Sequence, residues 1–233
     1  VQYFANLIER TTKMLRLNMR DLLDRSLLEV GTFKPNFQPH VVHQVIYENV
    51  VMLRAQAKSK GVEIVFDNQE AGAKEVKHAI DEQRVQQVVM NLLSNAVKFS
   101  KAGDKVSVKY SVKSGEAGQD TLTIQVKDQG IGMSEQEVEN LFTPFFKSKN
   151  EESLKANPYG NGLGLSICQN IARGMQGQLT VASELGAGSA FSLEFPAQRH
   201  GRKGSKAAEK SGNMAQELEQ LLDDDSHDET ANQ

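Results

Sequence analysis

Cysteine is almost absent from this sequence of 233 residues, which limits the kinds of site that it can build. Cys168 is the only cysteine, so the chain can form neither an internal disulfide nor a cysteine-based zinc cluster, as is typical of a reducing compartment. No run of about 18 apolar residues occurs, so no segment is long enough to span a membrane. Neither an initiator methionine nor a signal-peptide pattern is present at Val1, and we expect a fragment that begins inside a helix.

A large excess of one charge is also missing. The net charge of -3 argues against a nucleic-acid-binding protein with a broad basic surface. The imbalance is concentrated in residues 201–233, which hold four basic and eight acidic residues, so the rest of the chain is nearly neutral. This composition predicts a disordered tail rather than a docking peptide, although Leu218, Leu221 and Leu222 could form one or two helical turns.

Residues 1–30 contain neither glycine nor proline and predict one long helix. Ile8, Leu15 and Leu22 recur every seven residues, and such a stripe favours a bundle or dimer arm over a helix packed on its own domain. Residues 31–40 hold two prolines and a glycine and predict a linker. The expected organisation is a helix at 1–31, a linker at 32–38, a folded domain at 39–197 and a disordered acidic tail at 198–233.

Helical and strand patterns are interspersed through the folded domain. Helices are predicted at residues 41–60, 85–100 (with Asp81 as a plausible N-cap), 134–140 and 160–175. Strands are predicted at 62–67, 75–80, 105–113, 121–127, 178–183 and 190–195, with a hairpin loop at 114–120.

The helix at 85–100 carries an unusual polar stripe beside its apolar face. Asn91, Asn95 and Lys98 lie at positions i, i+4 and i+7, which stack on one side of a helix. Carboxamide oxygens suit a hard cation such as magnesium, and a lysine suits phosphate. On this helix alone, the alternative that these side chains simply face water stays open.

Two glycine-rich segments follow this helix. Asp128 ends a strand and leads into Gly130 and Gly132, where backbone can approach a ligand and the carboxylate could accept an adenine amine. An ordinary turn with a capping aspartate is the alternative. Residues 160–164, Gly-Asn-Gly-Leu-Gly, open a helix whose free amides and dipole suit phosphate. They follow a polar loop rather than a strand, which excludes a Rossmann fold. Between the two segments lie an aromatic cluster at 141–147 and a polar loop at 148–159.

In this order and spacing, the four segments resemble the catalytic and ATP-binding domain of sensor histidine kinases. Its fold is shared with gyrase, mismatch-repair ATPases and a heat-shock chaperone, and the resemblance covers residues 39–196. The matching segments are an asparagine box at 91–99, a first glycine box at 128–132, a phenylalanine box at 142–146, a second glycine box at 160–164 and a small-residue turn at 183–189.

The resemblance implies an α+β fold, a two-layer sandwich known as the Bergerat fold. A mixed five-stranded sheet would carry three helices on one face, preceded by the long helix. ATP and magnesium would lie between the helices and a flexible lid at residues 148–159. By motif position, Asn95 would ligate the magnesium with help from Asn91, and Lys98 would reach toward the phosphates.

The remaining site residues are carried over from the same motifs. Asp128 would receive the adenine amino group, and Gly130 and Gly132 would leave room for the ring. Lys147 or Lys149 would contact the γ-phosphate. The second glycine box and the phenylalanine box would complete the nucleotide site through Gly160, Gly162, Leu163, Gly164, Phe142 and Phe145, with Gly162 and Gly164 holding the phosphates.

The residue at position 91 distinguishes among relatives of this fold. Hydrolysing members place a glutamate there to activate water, whereas Asn91 cannot take a proton. A neutral imidazole is already nucleophilic, so Asn91 favours transfer to histidine over hydrolysis. The alternatives are an ATPase of the same superfamily and a degenerate nucleotide-binding scaffold. Asn161 in the second glycine box and the lack of a lid arginine are departures that leave the γ-phosphate contacts open.

The N-terminal helix then resembles the second helix of a dimerisation and histidine-phosphoacceptor hairpin. None of the five histidines lies in residues 1–30, so we expect the acceptor histidine outside this fragment and no self-phosphorylation. The implied partners are a second kinase protomer and the receiver domain of a response regulator, with no nucleic acid. The resemblance implies a cytoplasmic module of a two-component phosphorelay, whether or not the whole protein is membrane-bound.

Overall fold

A mixed sheet of seven strands forms the framework of the domain. The structure, a computed structural model, describes residues 34–67, 76–148, 150–157 and 160–200. The strands are β1 (Gln38–Val41), β2 (Glu63–Asp67), β3 (Lys77–Ile80), β4 (Lys105–Lys113), β5 (Gln119–Lys127), β6 (Gln178–Glu184) and β7 (Gly188–His200). They lie in the order β1-β3-β7-β5-β4-β2, and β6 pairs with β7 on the same side as β3. The β2–β4 pair is parallel and the other pairs are antiparallel.

Five helices accompany the sheet within the described residues. They are α1 (Val42–Ser59), α2 (Glu82–Phe99), α3 (Glu135–Asn140), α4 (Glu151–Ala156) and α5 (Gly164–Gly174). The three long helices, α1, α2 and α5, each bury one apolar stripe, and α2 packs against both of the others. No helix of the described segments is both long and apolar enough to cross a membrane.

The sheet has one apolar and one polar face because its long strands alternate with period two. On β5 the buried residues Leu122, Ile124 and Val126 face the core, where they pair with Phe195, Leu193 and Phe191 of β7. The helices cover this face, and α2 lies between α1 and α5. Because α2 occupies the centre of the helical layer, it is the element that positions the site.

The predicted fold class is confirmed, with three differences in detail. The sheet has seven strands rather than five. Strand β1 lies across the predicted linker boundary, and β7 runs three residues past the boundary at 197 because its last residues pair with β3. The predicted lid loop contains α4, a helix of six residues capped by the Asn150 side chain. Strand β1 contains Pro39 and α4 buries no residue, so neither has the hydrophobic pattern of a strand or helix.

Several predictions concern residues outside the described ones. These are the long helix at 1–31, the start of the linker, the tail beyond residue 200, and positions 149, 158 and 159 within the lid. They stay predictions.

Candidate functional site

Helix α2 brings two of the predicted site residues into direct contact. Asp81 caps the helix, accepting a hydrogen bond from the backbone N–H of Arg84 at 3.1 Å. Farther along, the Asn95 side-chain amide donates to the side-chain oxygen of Asn91 at 3.0 Å. The bond fixes the two carboxamides relative to each other beside the apolar face, as their i, i+4 spacing predicted.

Gly164 brings the start of α5 against this asparagine pair. A Cβ at this position would lie 2.3 Å from Nδ2 and 3.0 Å from Oδ1 of Asn91. No side chain could occupy that space unless Asn91 moved. Since Gly164 is the first residue of α5, the helix end with unpaired backbone N–H groups meets the carboxamides. The second glycine box and the asparagine box are therefore neighbours in space.

Lys98 follows on the next turn of α2 and is partly buried. Burial lowers the pKa of its ammonium group from the ordinary lysine value. No salt bridge joins Lys98 to a carboxylate among residues 34–67, 76–148, 150–157 and 160–200. A cation that is partly desolvated and without a counter-charge is in a suitable setting to bind an anion such as phosphate.

Three carbonyl groups at the end of α2, which the helix leaves without internal partners, accept hydrogen bonds from other elements. Lys60 Nζ donates to Val97 at 2.9 Å and to Lys98, and the Ile131 N–H donates to Phe99 at 3.3 Å. Lys60 comes from the end of α1, and Ile131 from the first glycine box. The end of the asparagine helix is thus fixed by two separate elements.

The first glycine box lies against that same helix end. A Cβ at Gly130 would be 2.4 Å from the Phe99 carbonyl oxygen. Gly132 has φ +62°, and a Cβ there would be 1.9 Å from the carbonyl oxygen of Glu184. Glycine is therefore required at both positions for the backbone to pass between α2 and the β6–β7 turn. Helix α2 contacts both glycine boxes.

Asp128 is held at the end of β5 by two backbone amides. Its Oδ1 accepts from the N–H of Gly130 at 2.9 Å and from the N–H of Ser189 at 3.2 Å. Only 5% of the residue is exposed, and this burial raises the pKa of its carboxyl group, although both hydrogen bonds oppose the shift. Because Oδ1 takes both bonds, Oδ2 is the oxygen that can still accept a hydrogen bond from a ligand.

A cleft of about 390 Å³ opens beside this glycine box. Its lining includes Gly130, Ile131 and Asp104 on one side, and Asn150 and Glu152 of the lid on the other. This volume is in the range of small-molecule sites. The cleft joins the predicted adenine segment to the predicted lid.

The phenylalanine box and the second glycine box meet at the base of the lid. The Phe145 N–H donates to the Gly162 carbonyl at 2.9 Å, and a Cβ at Gly162 would lie 2.7 Å from the Phe145 carbonyl carbon. Phe145 itself has φ +64°, which strains a non-glycine residue by about 1 kcal/mol or more. Its side chain is 60% exposed. A strained, exposed aromatic residue thus lies just before the predicted lid.

Three other predicted site residues make contacts of a different kind. Phe142 and Leu163 pack with the hydrophobic core, and Leu163 is only 3% exposed. Gly160 lies against the Asn157 side chain, where a Cβ would be 2.3 Å from Nδ2. These contacts explain the residue types through packing, and a direct ligand contact stays a prediction for all three.

The lid is attached to α3 through Glu137. This carboxylate closes a capping box with Ser134 and also accepts a hydrogen bond from the Ser148 hydroxyl. Ser148 in turn accepts from the Asn150 N–H at 3.1 Å. Lys147, next to this attachment, has an exposed side chain, and its contact with a ligand stays a prediction.

No sign of Lys60 as part of the site is present in the sequence, because its acceptors lie 37 and 38 positions away along the chain. The motif at 183–189 includes Ser189, but its contact with Asp128, 61 positions away, has no local signal. The Glu137 link was partly readable, since Ser134 and Glu137 have the spacing of a capping box.

Comparisons with known proteins agree with this geometry. The profile of the histidine kinase-, DNA gyrase B- and HSP90-like ATPases matches residues 80–199. The autoinducer 2 sensor kinase/phosphatase LuxQ of Vibrio vulnificus is 33% identical over 183 residues, which are 78% of this chain and 21% of that protein. The sensor histidine kinase RcsC of Escherichia coli is 41% identical over 116 residues, or 50% of this chain and 11% of that one. The chain spans at most about a fifth of the length of these relatives.

Solved structures show the same fold. Full-length ShkA in complex with AMPPNP aligns with a TM-score of 0.69 at 22% identity, covering 86% of this chain and 40% of that one. The catalytic domain of the histidine kinase ThkA aligns with a TM-score of 0.56 at 23% identity, covering 69% and 97%. The profile match includes α2, both glycine boxes and the strands between them, and it covers more than half of the chain. The chain therefore belongs to the family of histidine kinase-, DNA gyrase B- and HSP90-like ATPases.

Proposed function

We propose that this chain is the ATP-binding catalytic module of a two-component sensor histidine kinase. It transfers the γ-phosphoryl group of ATP to a histidine, for relay to an aspartate of a response regulator. One observation carries the proposal: α2 contacts both glycine boxes and presents Asn91, Asn95 and Lys98 there. The LuxQ and RcsC relatives are sensor kinases by description, which supports the same class.

The carboxamide pair suits a magnesium ion bound together with nucleotide phosphates. Magnesium prefers oxygen ligands and usually takes only one or two of them from the protein. Asn91 Oδ1 already accepts the bond from Asn95, which leaves it one lone pair, whereas both lone pairs of Asn95 Oδ1 remain for the metal. We assign Asn95 as the metal ligand and Asn91 as the residue that orients it. The metal would neutralise phosphate charge.

The remaining roles follow from charge and space. Lys98 offers a partly desolvated ammonium to the phosphates, and the start of α5 at Gly164 offers backbone N–H groups. Asp128 accepts a hydrogen bond from the adenine amino group. Lys147 is assigned a γ-phosphate contact after lid closure, since it adjoins the lid. Phosphoryl transfer depends mainly on such positioning and neutralisation.

The identity of residue 91 favours histidine as acceptor. During transfer, a lone pair of a neutral imidazole nitrogen forms the P–N bond while the bond to the bridging oxygen breaks and ADP leaves. No proton has to be removed before the attack, so a carboxamide at position 91 suffices. Hydrolysis would need a base for water, which Asn91 cannot supply.

The partners belong to the same proposal. We assign residues 1–31 to a dimerisation hairpin shared with a second protomer, residues 39–197 to the kinase domain, and the receiver domain of a response regulator as the recipient of the phosphate. The acceptor histidine lies outside this chain.

Phosphate transfer in trans tests the proposal. The chain is incubated with γ-labelled ATP, magnesium and a separately purified phosphoacceptor hairpin from a sensor kinase such as RcsC. We expect acid-labile, base-stable phosphate on the hairpin, none on the chain itself, and none anywhere with Asn95→Ala. The exposed Lys58→Met variant serves as control and should transfer normally. Release of inorganic phosphate without transfer would instead indicate an ATPase, and nucleotide binding with neither reaction would indicate a scaffold.

A further inference from the structure

The Asp81 carboxylate does more than cap α2. Its Oδ1 accepts the Arg84 N–H within the first turn, while its Oδ2 accepts the backbone N–H of Asn36 at 2.8 Å. Asp81 itself is only 7% exposed, although Asn36 is exposed and both bonds are partly buried. A cap requires only the first bond, and the second reaches 45 residues back along the chain.

The segment that begins at Asn36 follows the start of α2 closely. After the bond to Asp81, residues Gln38–Val41 pair as β1 with β3, the strand that leads directly into Asp81. His40 Nδ1 also lies 3.6 Å from a carboxylate oxygen of Glu82, the first residue of α2. Three contacts therefore join this segment to one end of the asparagine helix.

A displacement at that end reaches the site because α2 moves as a unit. The helix has 18 residues, and its buried side is continuous from Val85 to Val97. Its other end bears Lys98 and meets the first glycine box through Phe99. Close packing transmits a shift of one end instead of absorbing it.

We propose that Asp81 is a positioning residue that couples residues 36–41 to the nucleotide site through α2. It does not touch the nucleotide; it sets where Asn91, Asn95 and Lys98 lie. The inference rests on the proposed function, because nucleotide affinity is the property that the coupling changes. Coupling is reciprocal, so bound nucleotide strengthens the hold of Asp81 on the Asn36 amide.

Two variants remove the hydrogen bond between Asn36 and Asp81, one by changing the donor and the other by changing the acceptor. Asn36→Pro deletes the backbone N–H that Asp81 accepts, and Asn36→Ala is its matched control, because it keeps this N–H and loses only the exposed contact with Gln38. Asp81→Ser keeps a good capping oxygen for Arg84 but offers one hydroxyl in place of two carboxylate oxygens. The double variant Asn36→Pro/Asp81→Ser measures whether the two changes act through one contact.

Calorimetric titration of the full chain with AMPPNP and magnesium, together with urea unfolding, tests the coupling. Asn36→Pro and Asp81→Ser should each weaken binding about five-fold or more, Asn36→Ala should match the parent, and the double variant should be no weaker than either single one. In the parent, AMPPNP should slow hydrogen exchange of the Asn36 amide.

Lowered stability with a Kd within about two-fold of the parent would assign Asp81 a structural role only and overturn the inference. So would independent, additive losses in the double variant. A parent that binds no AMPPNP would overturn the proposed function and this inference together, whereas a binding parent matched by both variants overturns the inference alone.

Discussion

Asp128 and Asp120 are both buried aspartates, yet their surroundings shift their pKa values in opposite directions. Desolvation dominates at Asp128 and raises its pKa. At Asp120, the Arg199 guanidinium contributes most and lowers the pKa to about 2. A buried carboxylate without a cation nearby costs stability, and such costs are typical of functional sites.

Asp128→Asn should raise the stability of the fold at neutral pH and lower its affinity for nucleotide. The folded state holds the Asp128 proton more tightly than the unfolded state does, so the contribution of this group is favourable at low pH and is lost as pH rises through its raised pKa. At neutral pH the variant should therefore have a higher free energy of unfolding. Its affinity for AMPPNP should fall about ten-fold or more, because the charged acceptor for the adenine amine is lost.

Urea unfolding and calorimetry at neutral pH measure the two effects, with the exposed Glu139→Gln as control. A variant that loses both stability and affinity would show that the carboxylate is a structural cap.

Gly164→Ala tests whether nucleotide binding requires the close approach of α5 to the Asn91 side chain. Its Cβ would displace the Asn91 side chain, whose nearest atom lies at the movable end of that side chain, so the fold should survive. Alanine also favours a helix over glycine by about 1 kcal/mol, which should offset the local crowding. We expect a melting temperature near that of the parent and AMPPNP binding weakened at least ten-fold. Arg173→Ala on the same helix is the control, and normal binding by Gly164→Ala would remove Asn91 from the site.

The asparagine stripe could be predicted because helix geometry fixes which residues share a face. To place Asn91, Asn95 and Lys98 on one face, it was enough to predict a helix over these residues, and the spacing of the residues along the sequence indicated that helix. The Lys60 contacts could not be predicted, since they join residues 37 and 38 positions apart. Such contacts depend on how α1 and α2 pack, which no local pattern records.

At the scale of elements, both ends of α2 are held by residues outside the helix. Asp81 and Asn36 hold its start, and Lys60 holds its end. The positive charge of Lys60 also interacts favourably with the negative, C-terminal end of the helix dipole.

Lys60→Met should remove the hydrogen bonds that hold the C-terminal end of α2. We expect a loss of about 1 kcal/mol in the free energy of unfolding, because two carbonyls lose a charged donor at an exposed position. Lys60 contacts backbone carbonyls at this end of α2, and the γ-phosphate contact is proposed for Lys147, so ADP and AMPPNP should lose affinity by the same factor. Titrations with both nucleotides measure this, and Lys58→Met is the matched control. A loss confined to AMPPNP would instead place Lys60 at the γ-phosphate.

Sequence patterns missed β1 and α4, although β3 and α3 are equally short and were predicted. Strand β1 contains Pro39, a residue that disfavours strands, and α4 has no buried apolar stripe. Both are fixed by contacts with distant residues: β1 by pairing with β3, and the lid by the Glu137 bond to Ser148. The long elements, by contrast, were predicted to within about four residues at each end, except β7, which continues from its predicted end at residue 195 to His200.

At the scale of the whole molecule, a buried polar cluster joins strands that are far apart in sequence. Asp120 on β5 accepts from His78 of β3 at 2.9 Å and from two guanidinium nitrogens of Arg199 on β7 at 2.6 and 2.7 Å. His78 and Asp120 have no exposed side-chain surface. The cluster fastens the last residues of β7. The tail was expected to begin there, because a contact between residues 79 positions apart leaves no local pattern in the sequence.

This cluster predicts how acid unfolds the domain. The pKa of Asp120 is about 2 in the folded state, below its ordinary value, so its stabilising contribution is present above about pH 4 and is lost as pH falls toward 2. Asp120→Asn should lower the free energy of unfolding at pH 7 by about 1 to 2 kcal/mol, allowing for the partial exposure of Arg199. It should also flatten the pH dependence between 4 and 2, about the range of the shift.

Urea unfolding across this pH range is the measurement, and the exposed Glu116→Gln is the control. An unchanged pH dependence in Asp120→Asn would mean that other carboxylates govern acid unfolding.

The central claim is that α2 and the two glycine boxes form one magnesium-dependent nucleotide site. Calorimetric titration of the chain and of Asn95→Ala with AMPPNP, each with and without magnesium, tests it most directly. The parent should bind one AMPPNP with an affinity that falls at least ten-fold without magnesium, about the loss expected when a metal–oxygen contact is removed. Asn95→Ala should fold like the parent and show the same weak binding in both conditions. Equal, magnesium-dependent binding by the parent and Asn95→Ala would contradict the claim and place the metal elsewhere.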